Sequence, residues 1–273
     1  MSDRKATVTA SVTASNEPVY EVRLARDAVD LKGAQRLRYQ VFVEELGARC
    51  ESADHAQRLE SDALDPFFDH LLLIDRSVDP ATLGHVVGVY RLLPQDRAQE
   101  LGRFYSDAEY DLSPLRASGR KLVELGRSCV HPAHRRGPVM LLLWNGVAEY
   151  VLERGIEILF GVASFPGSDP AVHAEALSYL HAHHRAPAPL RVAVRPGPQA
   201  QRMDLLDPDT LDRARAMNAI PPLIRAYLRL GGFVGEGAYI DTDFNTTDVC
   251  LIMDTSRMSE RAVDFYTRKT PRR

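Results

Sequence analysis

The sequence predicts an α/β sandwich in which helices cover a central mixed β-sheet. Runs rich in β-branched and aliphatic residues, at 70–75, 84–92, 121–130 and 156–164, alternate with stretches of helical periodicity. Elements that alternate in this way form one sheet with helices on its faces. We expect the sheet to be mixed, because some connections between strands are too short for a helical crossover.

The elements of the first half follow from periodicity. A short strand at 21–24 precedes a helix at 30–44, in which apolar side chains recur at helical spacing from Leu31 to Phe42. Residues 45–66 are charged and lack a period, which predicts a long loop. The strands at 70–75 and 84–92 are separated by a turn, and a loop or short helical excursion extends to 119. Residues 121–130 alternate as a strand.

The second half begins with the clearest helix, at 138–153, where Pro138 suits the first turn and Gly155 the end. A buried strand at 156–164 and a short helix at 171–181 follow. The stretch to 198 is predicted as a loop with a strand at 190–194. A helix at 222–230 stops at Gly231-Gly232, and strands are expected at 233–239 and 249–253.

Length and composition limit the classes of protein that the chain can be. At 273 residues it suits one enlarged domain, which we place at 19–273 with an inserted helix and loop region around 165–230. Residues 1–18 are expected to be a disordered leader, since they lack the apolar core of a signal peptide. The net charge of -3 argues against a nucleic-acid partner. Three scattered cysteines fit a reducing cytoplasm.

Two charged residues on the predicted strand 121–130 are candidates for chemistry. Glu124 and Arg127 are three positions apart, a spacing that puts side chains on opposite faces of a regular strand. A bulge at Gly126 would bring both side chains into one cleft. The alternative is a cross-strand ion pair.

A basic loop joins this strand to the clearest helix. It reads Val130-His-Pro-Ala-His134-Arg135-Arg136-Gly137-Pro138. Backbone N–H groups at the start of a helix favour an anion, and His134, Arg135 and Arg136 add positive charge beside them. This arrangement is typical of a phosphate site, although a solvated basic loop has the same composition.

Strand, V-x-P-x-x-R-x-G loop, helix and strand together resemble the acyl-CoA-binding core of the GNAT acyltransferases. The blocks Leu37-Arg38-Tyr39-Gln-Val-Phe42, Asp62-Ala-Leu-Asp65, Tyr90-Arg91 and Glu124-Leu-Gly-Arg127 are similar in order and spacing to those of acyl-homoserine lactone synthases. Downstream, the blocks at 163–170, 177–181, 222–232 and 243–248 resemble the ornithine N-acyltransferases of ornithine-lipid synthesis instead. An early Trp of the lactone synthases is absent, because the only Trp is Trp144.

The resemblance implies transfer of a 3-hydroxyacyl chain from acyl carrier protein to the α-amine of L-ornithine, giving lyso-ornithine lipid. It implies Glu124 as the proton acceptor and Arg127 as a group that holds the substrate carboxylate or orients Glu124. Further substrate contacts are expected from the residues Arg38, Phe42, Asp62, Asp65 and Arg91. Asp62 and Asp65 suit the distal amine, Arg38 or Arg91 the carboxylate, and Phe42 the pocket wall.

The donor is expected to be the phosphopantetheine of acyl carrier protein, with no bound cofactor and no metal. Where CoA-dependent relatives have small residues, this chain has Pro138, Val139 and Leu141, which crowd the approach of a pyrophosphate. A carrier protein brings one phosphate and an acidic surface. The residues His134, Arg135, Arg136 and Gly137 are therefore expected to bind it.

Other functions remain open from the sequence. These are a lactone synthase that uses S-adenosylmethionine, an acyl-CoA-dependent N-acetyltransferase, and a catalytically inactive acyl-carrier or lipid-binding module. Cys129 also suggests an acyl-cysteine intermediate, although a buried strand residue is the simpler interpretation. Arginines at 213, 215, 225 and 229 suggest peripheral contact with the anionic inner face of the cytoplasmic membrane.

Overall fold

A computed structural model describes residues 18–50, 53–136 and 138–257. The strands are β1 (Tyr20–Leu24), β2 (Ala53–Asp54), β3 (Leu59–Glu60), β4 (Asp69–Asp75), β5 (Val86–Pro94), β6 (Tyr110–Asp111), β7 (Leu122–Val130), β8 (Ile158–Pro166), β9 (Ala193–Val194), β10 (Ala200–Gln201), β11 (Phe233–Val234), β12 (Ala238–Asp241) and β13 (Thr246–Asp254). The α-helices are α1 (Ala28–Arg38), α2 (Gln95–Leu101), α3 (Ser113–Ala117), α4 (Val139–Arg154), α5 (Ala174–His183), α6 (Arg213–Ala219) and α7 (Pro222–Arg229).

One mixed sheet organises the fold. Its strands follow the order β1-β4-β5-β7-β8-β13-β12-β10, and β11 also pairs with β13. The pair β7 and β8 is parallel and the other pairs in this sheet are antiparallel. The predicted mixed sheet is therefore confirmed, and its parallel pair is the one joined through helix α4.

Helices cover both faces of the sheet, as the alternation of side chains along β4 illustrates. Leu71 and Leu73 pack into the core that contains α4, whereas Leu72 and Ile74 pack into the core that contains α1. Successive strand residues point to opposite faces, so a continuous apolar run indicates a strand that is buried on both sides. The predicted α/β sandwich is confirmed.

The two helices nearest the site have clear boundaries. The carboxylate of Asp27 accepts hydrogen bonds from the N–H groups of Val29 and Asp30 and so caps α1. A π-helical segment, Tyr39–Glu45, continues α1 to the end of the helix predicted at 30–44. Helix α4 ends at Gly155, whose φ of 60° is a left-handed conformation that glycine adopts without strain.

Short elements account for most differences from the sequence predictions. The loop predicted at 45–66 contains the hairpin β2–β3 and a 3₁₀ turn, Asp65–Phe67. Helices α2, α3 and α6 were not expected as separate elements, because five to seven residues show no reliable period. They form because a residue such as Leu115 is completely buried against the rest of the domain. The strand predicted at 233–239 is interrupted, and forms β11 and β12.

The region around 165–230 carries α5, α6 and α7, which pack on the α4 side of the sheet through Leu177, Ile224 and Tyr227. The predicted leader comprises residues 1–18, of which the structure describes only residue 18. Among the residues that the structure describes, no helix has the length and apolar character needed to span a bilayer.

Candidate active site

The candidate site is a cleft between β7 and β8. These parallel strands pair only from Leu122 to Glu124 on β7, opposite 158–160 on β8, and then separate. A cavity of about 260 Å³ opens where they part. Its walls include 125–128 from β7 and 161–164 from β8. Backbone groups of both strands therefore border an open space rather than each other.

Gly161 allows the last close approach of the two strands before the cleft. A Cβ atom at this position would lie 2.1 Å from the carbonyl oxygen of Leu125, closer than van der Waals contact permits. Only glycine fits there without moving β7. The width of the cleft entrance thus depends on this residue.

A bulge in β7 turns its charged side chains toward the cleft. Val89 pairs with Cys129 and Arg91 with Gly126, so three steps on β7 match two steps on β5. Arg127 takes up the extra residue with a positive φ of 48°. Glu124 and Arg127 both line the cavity as a result. The bulge predicted beside Gly126 is confirmed.

The carboxylate of Glu124 is buried and held by hydrogen bonds. Tyr105 and Ser106 donate their backbone N–H groups to its oxygens at 2.6 and 2.7 Å, and the Ser106 hydroxyl donates as well. Burial raises the pKa of Glu124 to about 7, although the hydrogen bonds from Ser106 and Tyr105 oppose the rise. The group therefore exchanges a proton near neutral pH, as a general base must.

The guanidinium of Arg127 lies between acids and aromatic rings. Its Nε is 3.3 Å from a carboxylate oxygen of Glu60, and its Nη1 is 3.5 Å from the Tyr105 hydroxyl. Its Cζ also lies 4.3 Å from the centre of the Phe244 ring. The side chain keeps 14% of its surface exposed, toward the cavity. It is thus the most accessible cation of the cleft wall formed by β7.

Arg38, Asp65 and Arg91 form a buried charge network behind this wall. Arg38 donates from Nη1 and Nη2 to the two oxygens of Asp65, both at 2.8 Å, and Arg91 Nη1 lies 2.8 Å from the same carboxylate. Arg38 also pairs with Glu60 at 2.5 Å, and Arg91 with Asp62 at 2.7 Å. Burial alone would raise the pKa of Asp65, but Arg38 and Arg91 hold it well below its usual range.

This network separates the predicted substrate contacts into two groups. Arg91 and Phe42 line the cavity. Arg38 is fully buried and does not line it, nor do Asp62 and Asp65, whose carboxylates are bound by the arginines. In this structure, Arg38 and Asp65 are therefore not positioned to contact a substrate in the cavity directly. The guanidinium groups of the neighbouring arginines bind the carboxylates of Asp62 and Asp65. The order of the motifs along the chain does not reveal this pairing.

The basic loop before α4 is only partly available to a partner. His134 Nδ1 hydrogen bonds with the Tyr20 hydroxyl at 2.8 Å, and Arg135 pairs with Glu45 at 2.5 Å. Arg136 is exposed and forms no ion pair with any residue that the structure describes. Gly137 lies outside the described residues.

Three acids that sequence analysis did not select also meet at the cleft. Single carboxylate oxygens of Glu109, Asp241 and Asp248 all lie within 4.8 Å of one another. Asp241 and Asp248 line the cavity, and Asp248 lies directly across from Ser164 in the β8–β13 register. The block at 243–248 pointed to this loop, but only the pairing of β12 with β13 and the turn after Ser106 bring the three together. We call these residues the acidic triad.

A second cavity of about 300 Å³ lies beside the cleft, between α4, α7 and the end of β13. It shares Leu159, Tyr227 and Met253 with the first cavity. Its other walls are mainly apolar and include the residues Val147, Ala148, Val151, Leu152, Ile156 and Leu230. The first cavity thus has charged groups in its wall, and the adjacent second cavity is mainly apolar.

Comparison with known proteins identifies the family. The chain is 61% identical over 250 residues to the L-ornithine N(alpha)-acyltransferase of Rhodobacter capsulatus, covering 92% of this chain and 95% of that protein. The L-ornithine N(alpha)-acyltransferase of Rhizobium meliloti is 42% identical, with 90% and 83% covered. The chain belongs to the family of L-ornithine N(alpha)-acyltransferases. It is therefore an acyltransferase enzyme.

The chain is also similar to a domain family and to solved structures. Residues 37–145 match the acetyltransferase (GNAT) domain, as the sequence resemblance predicted. Among solved structures, the chain is similar to FeeM, an N-acyl amino acid synthase from uncultured soil microbes. That match has a TM-score of 0.49 and 12% identity, over 88% of this chain and 94% of the other.

Cys129 does not have the environment of a nucleophile in this family member. Its side chain is 7% exposed, and burial raises the pKa of the thiol far above its usual range. A neutral thiol is a poor nucleophile, so the buried strand residue is the better interpretation. Two histidines of α5 contact other side chains, since His181 lies 3.3 Å from Glu236 and His183 packs on Tyr179.

Proposed function

We propose that this acyltransferase moves a 3-hydroxyacyl chain from acyl carrier protein to the α-amine of L-ornithine. The product is lyso-ornithine lipid, the first intermediate of ornithine-lipid synthesis. Ornithine as acceptor is supported by the names of the related enzymes. The carrier-bound donor and the lipid product rest on the sequence resemblance and on the shape and charge of the cleft.

One observation carries the proposal, namely that a cavity with charged walls lies beside an apolar cavity and shares the residues Leu159, Tyr227 and Met253 with it. Arg127 of β7 and Arg91 of the neighbouring β5 supply positive charge at one wall, and Asp241 and Asp248 supply acids at the opposite wall. The cavity beyond is apolar. An amino acid with two amines and one carboxylate matches the first part, and a long acyl chain matches the second.

The reaction is the aminolysis of a thioester. The α-nitrogen attacks the carbonyl carbon, a C–N bond forms, the C–S bond breaks, and the sulfur leaves as the thiol of phosphopantetheine. Glu124 accepts the proton that the amine must lose, directly or through water, because its pKa lies near 7 and it lines the cavity. Backbone N–H groups of β7 beyond Glu124, unpaired with β8, are donors for the developing oxyanion.

The arginines have different roles in this proposal. Arg127 holds the α-carboxylate, because it is the cation with exposed surface in the cleft. Arg91 adds positive charge from the same wall, and the ring of Phe68 lies 4.2 Å below its guanidinium. Arg38, Asp62 and Asp65 act through these two side chains and fix their positions.

The acyl chain occupies the second cavity. Leu159, Tyr227 and Met253 border both spaces, so a chain whose thioester lies beside Glu124 continues past them toward Ala148. Burial of a long alkyl chain contributes about 0.8 kcal/mol for each methylene group. This contribution favours a lipid-length donor over an acetyl group.

The carrier protein docks at the start of α4. Arg136 is exposed there, with Arg135 and His134 beside it, and carrier proteins are acidic. Pro138 is the N-cap residue of α4, and the buried Val139 is its first helical residue. Pro138 has no N–H group, so this turn suits the single phosphate of phosphopantetheine better than the pyrophosphate of CoA.

The proposal also includes peripheral contact with the membrane, because the proposed product is a lipid. Arg213 and Arg229 are exposed, whereas Arg215 pairs with Glu175 and Arg225 donates to the carbonyls of the α6 end. Flotation with anionic and neutral vesicles tests this contact. Binding to neither kind would exclude it.

The experiment that tests the function is a mass-spectrometric endpoint assay. Purified enzyme receives 3-hydroxypalmitoyl carrier protein with L-ornithine, and parallel reactions replace ornithine with S-adenosylmethionine or the donor with acetyl-CoA. N-(3-hydroxyacyl)ornithine in the first mixture alone is the expected result. A lactone or an acetylated amine would assign the enzyme to another acyl-transfer reaction.

A further inference from the structure

The acidic triad has no cationic partner of its own. Glu109 and Asp248 are each 4% exposed, and neither they nor Asp241 form an ion pair with a described Lys, Arg or His side chain. The nearby Arg127 is paired with Glu60 and Asp62 instead. Three clustered carboxyl groups without a cation repel one another when ionised.

Two carboxylate oxygens of the triad lack a hydrogen-bond partner among the described residues, which indicates that a ligand binds there. Oε2 of Glu109 and Oδ1 of Asp248 are buried and accept no hydrogen bond from any residue that the structure describes. Buried polar atoms nearly always have a partner, because leaving one unsatisfied costs about 1–3 kcal/mol. Asp248 and Asp241 line the cleft cavity, so a group bound in the cleft has access to their carboxylates, and an oxygen of Glu109 lies within 4.8 Å of both.

The electrostatics of the triad favour a cation. Burial, with the charges of Asp248 and Asp241, raises the pKa of Glu109 to about 9. Burial also raises the pKa of Asp248 to about 6. Burial and the neighbouring negative charges thus disfavour the ionised forms of Glu109 and Asp248, and a positive ligand bound beside them would stabilise these forms.

We propose that Glu109, Asp241 and Asp248 bind the side-chain ammonium of ornithine and so select a diamino acid as the acyl acceptor. This inference rests on the proposed function. An ammonium group has three N–H donors, and the triad offers three acceptors within a small space. With Arg127 on the carboxylate, the amino acid is held at both ends, which leaves the α-amine between them and near Glu124.

The contribution of the triad is measured by comparing two acceptors that differ in one group. L-norvaline has the carbon skeleton of ornithine without the δ-amine. Steady-state rates with acyl carrier protein as donor, and calorimetric affinities for both amino acids, are obtained for the wild type, Glu109→Gln and Asp248→Asn. Asp243→Asn is the matched control, because this exposed acid lies on the same loop but outside the triad.

We expect the wild type to prefer ornithine over norvaline in kcat/KM and in affinity. Glu109→Gln and Asp248→Asn should lower kcat/KM for ornithine roughly 10- to 100-fold, as the loss of a charged hydrogen bond predicts. Their values for norvaline should change less than about threefold, which also shows that the variants fold. Asp243→Asn should behave as the wild type.

Two outcomes would overturn the inference. One is an ornithine preference that persists in both triad variants while they acylate ornithine normally. The other is wild-type activity that requires a divalent cation and loses this requirement in the variants, which would make the triad a metal site. Failure of the wild type to acylate any amino acid would instead reject the proposed function, because the triad variants are compared only with an active enzyme.

Discussion

Ser106 donates two hydrogen bonds to one carboxylate oxygen of Glu124, through its backbone N–H at 2.7 Å and through its hydroxyl. Ser106 is completely buried, and Tyr105 donates to the other oxygen. The turn after α2 therefore fixes the carboxylate of β7 in one orientation. Preorganised groups of this kind need no rearrangement during the reaction. The site depends on this contact between segments that are distant in sequence.

The first prediction concerns the pH dependence of the reaction. Glu124 accepts a proton only when ionised, and burial raises its pKa to about 7. The rate at saturating substrate should therefore rise with pH through about 7 and then level off. Glu124→Gln should lower kcat on the order of 10²-fold or more and remove this limb. The measurement is kcat from pH 5.5 to 9 for both proteins.

Ser106→Ala serves as the companion variant for this experiment. It removes one donor and leaves the Glu124 carboxylate in place, so the limb should persist and shift to higher pH. Unchanged kcat in a folded Glu124→Gln enzyme would show that another group accepts the proton.

The second prediction concerns the buried network. Asp65→Asn removes the carboxylate that Arg38 and Arg91 share, which leaves two buried cations underneutralised. We expect the free energy of unfolding to fall by about 3–5 kcal/mol, as measured by urea denaturation. Asp204→Asn, in an exposed ion pair with Arg202, should leave stability unchanged.

Activity of Asp65→Asn separates positioning from binding. In a positioning role the variant loses kcat, and excess ornithine does not restore the rate. Full rescue by excess ornithine would indicate instead that Asp65 contributes only to acceptor affinity.

The third prediction tests the strand separation that forms the cleft. In Gly161→Ala the new methyl group would overlap the Leu125 carbonyl, so β7 and β8 must move apart. We expect a loss of about 1–3 kcal/mol in stability and a larger loss in kcat/KM. Gly197→Ala is the control, because a Cβ atom there would lie 3.8 Å from the Gln199 side chain, an ordinary van der Waals contact. Wild-type kinetics in Gly161→Ala would show that this approach does not shape the site.

The sequence predicted the parts of the fold that have a clear period. Helix α4 and strands β4, β5, β7 and β8 lie where apolar spacing placed them, within a few residues. The bulge in β7 was also predictable, because Glu124 and Arg127 have the wrong spacing for one face of a regular strand. Helices α2 and α3 lie in the stretch predicted only as a loop or short helical excursion, and α6 was missed, because tertiary burial stabilises these helices rather than an amphipathic repeat.

The candidate site was predictable only where its residues lie in one motif. Glu124, Arg127, Arg91 and Phe42 line the cleft, and each belongs to a block that was recognised in the sequence. The acidic triad combines residues from a turn, from β12 and from β13, so no local spacing brings them together. Arg38 and Asp65 have the residue types of substrate ligands, and only the coordinates show that they neutralise each other.

The fourth prediction tests carrier docking at the start of α4. Arg136→Glu should raise KM for acyl carrier protein roughly tenfold at low salt, with little change in kcat, because reversing an exposed charge weakens encounter with an acidic partner. The effect should shrink at high ionic strength. Arg202→Glu, next to β10 at the far edge of the sheet, should leave KM unchanged. An unchanged KM in Arg136→Glu would place the docking surface elsewhere.

The fifth prediction tests whether the second cavity holds the acyl chain. Ala148 lines this cavity on α4, and Ala148→Phe would fill much of the space beyond Tyr227. A shortened cavity excludes the distal methylenes of a long chain, each of which contributes about 0.8 kcal/mol when buried. We therefore expect kcat/KM for a 3-hydroxypalmitoyl donor to fall by roughly tenfold or more, while a 3-hydroxydecanoyl donor is used as before. Glu149→Phe adds the same ring at the exposed neighbouring position and should leave chain-length preference unchanged. An equal loss with both donors in Ala148→Phe would mean that the acyl chain follows a different path from the cleft.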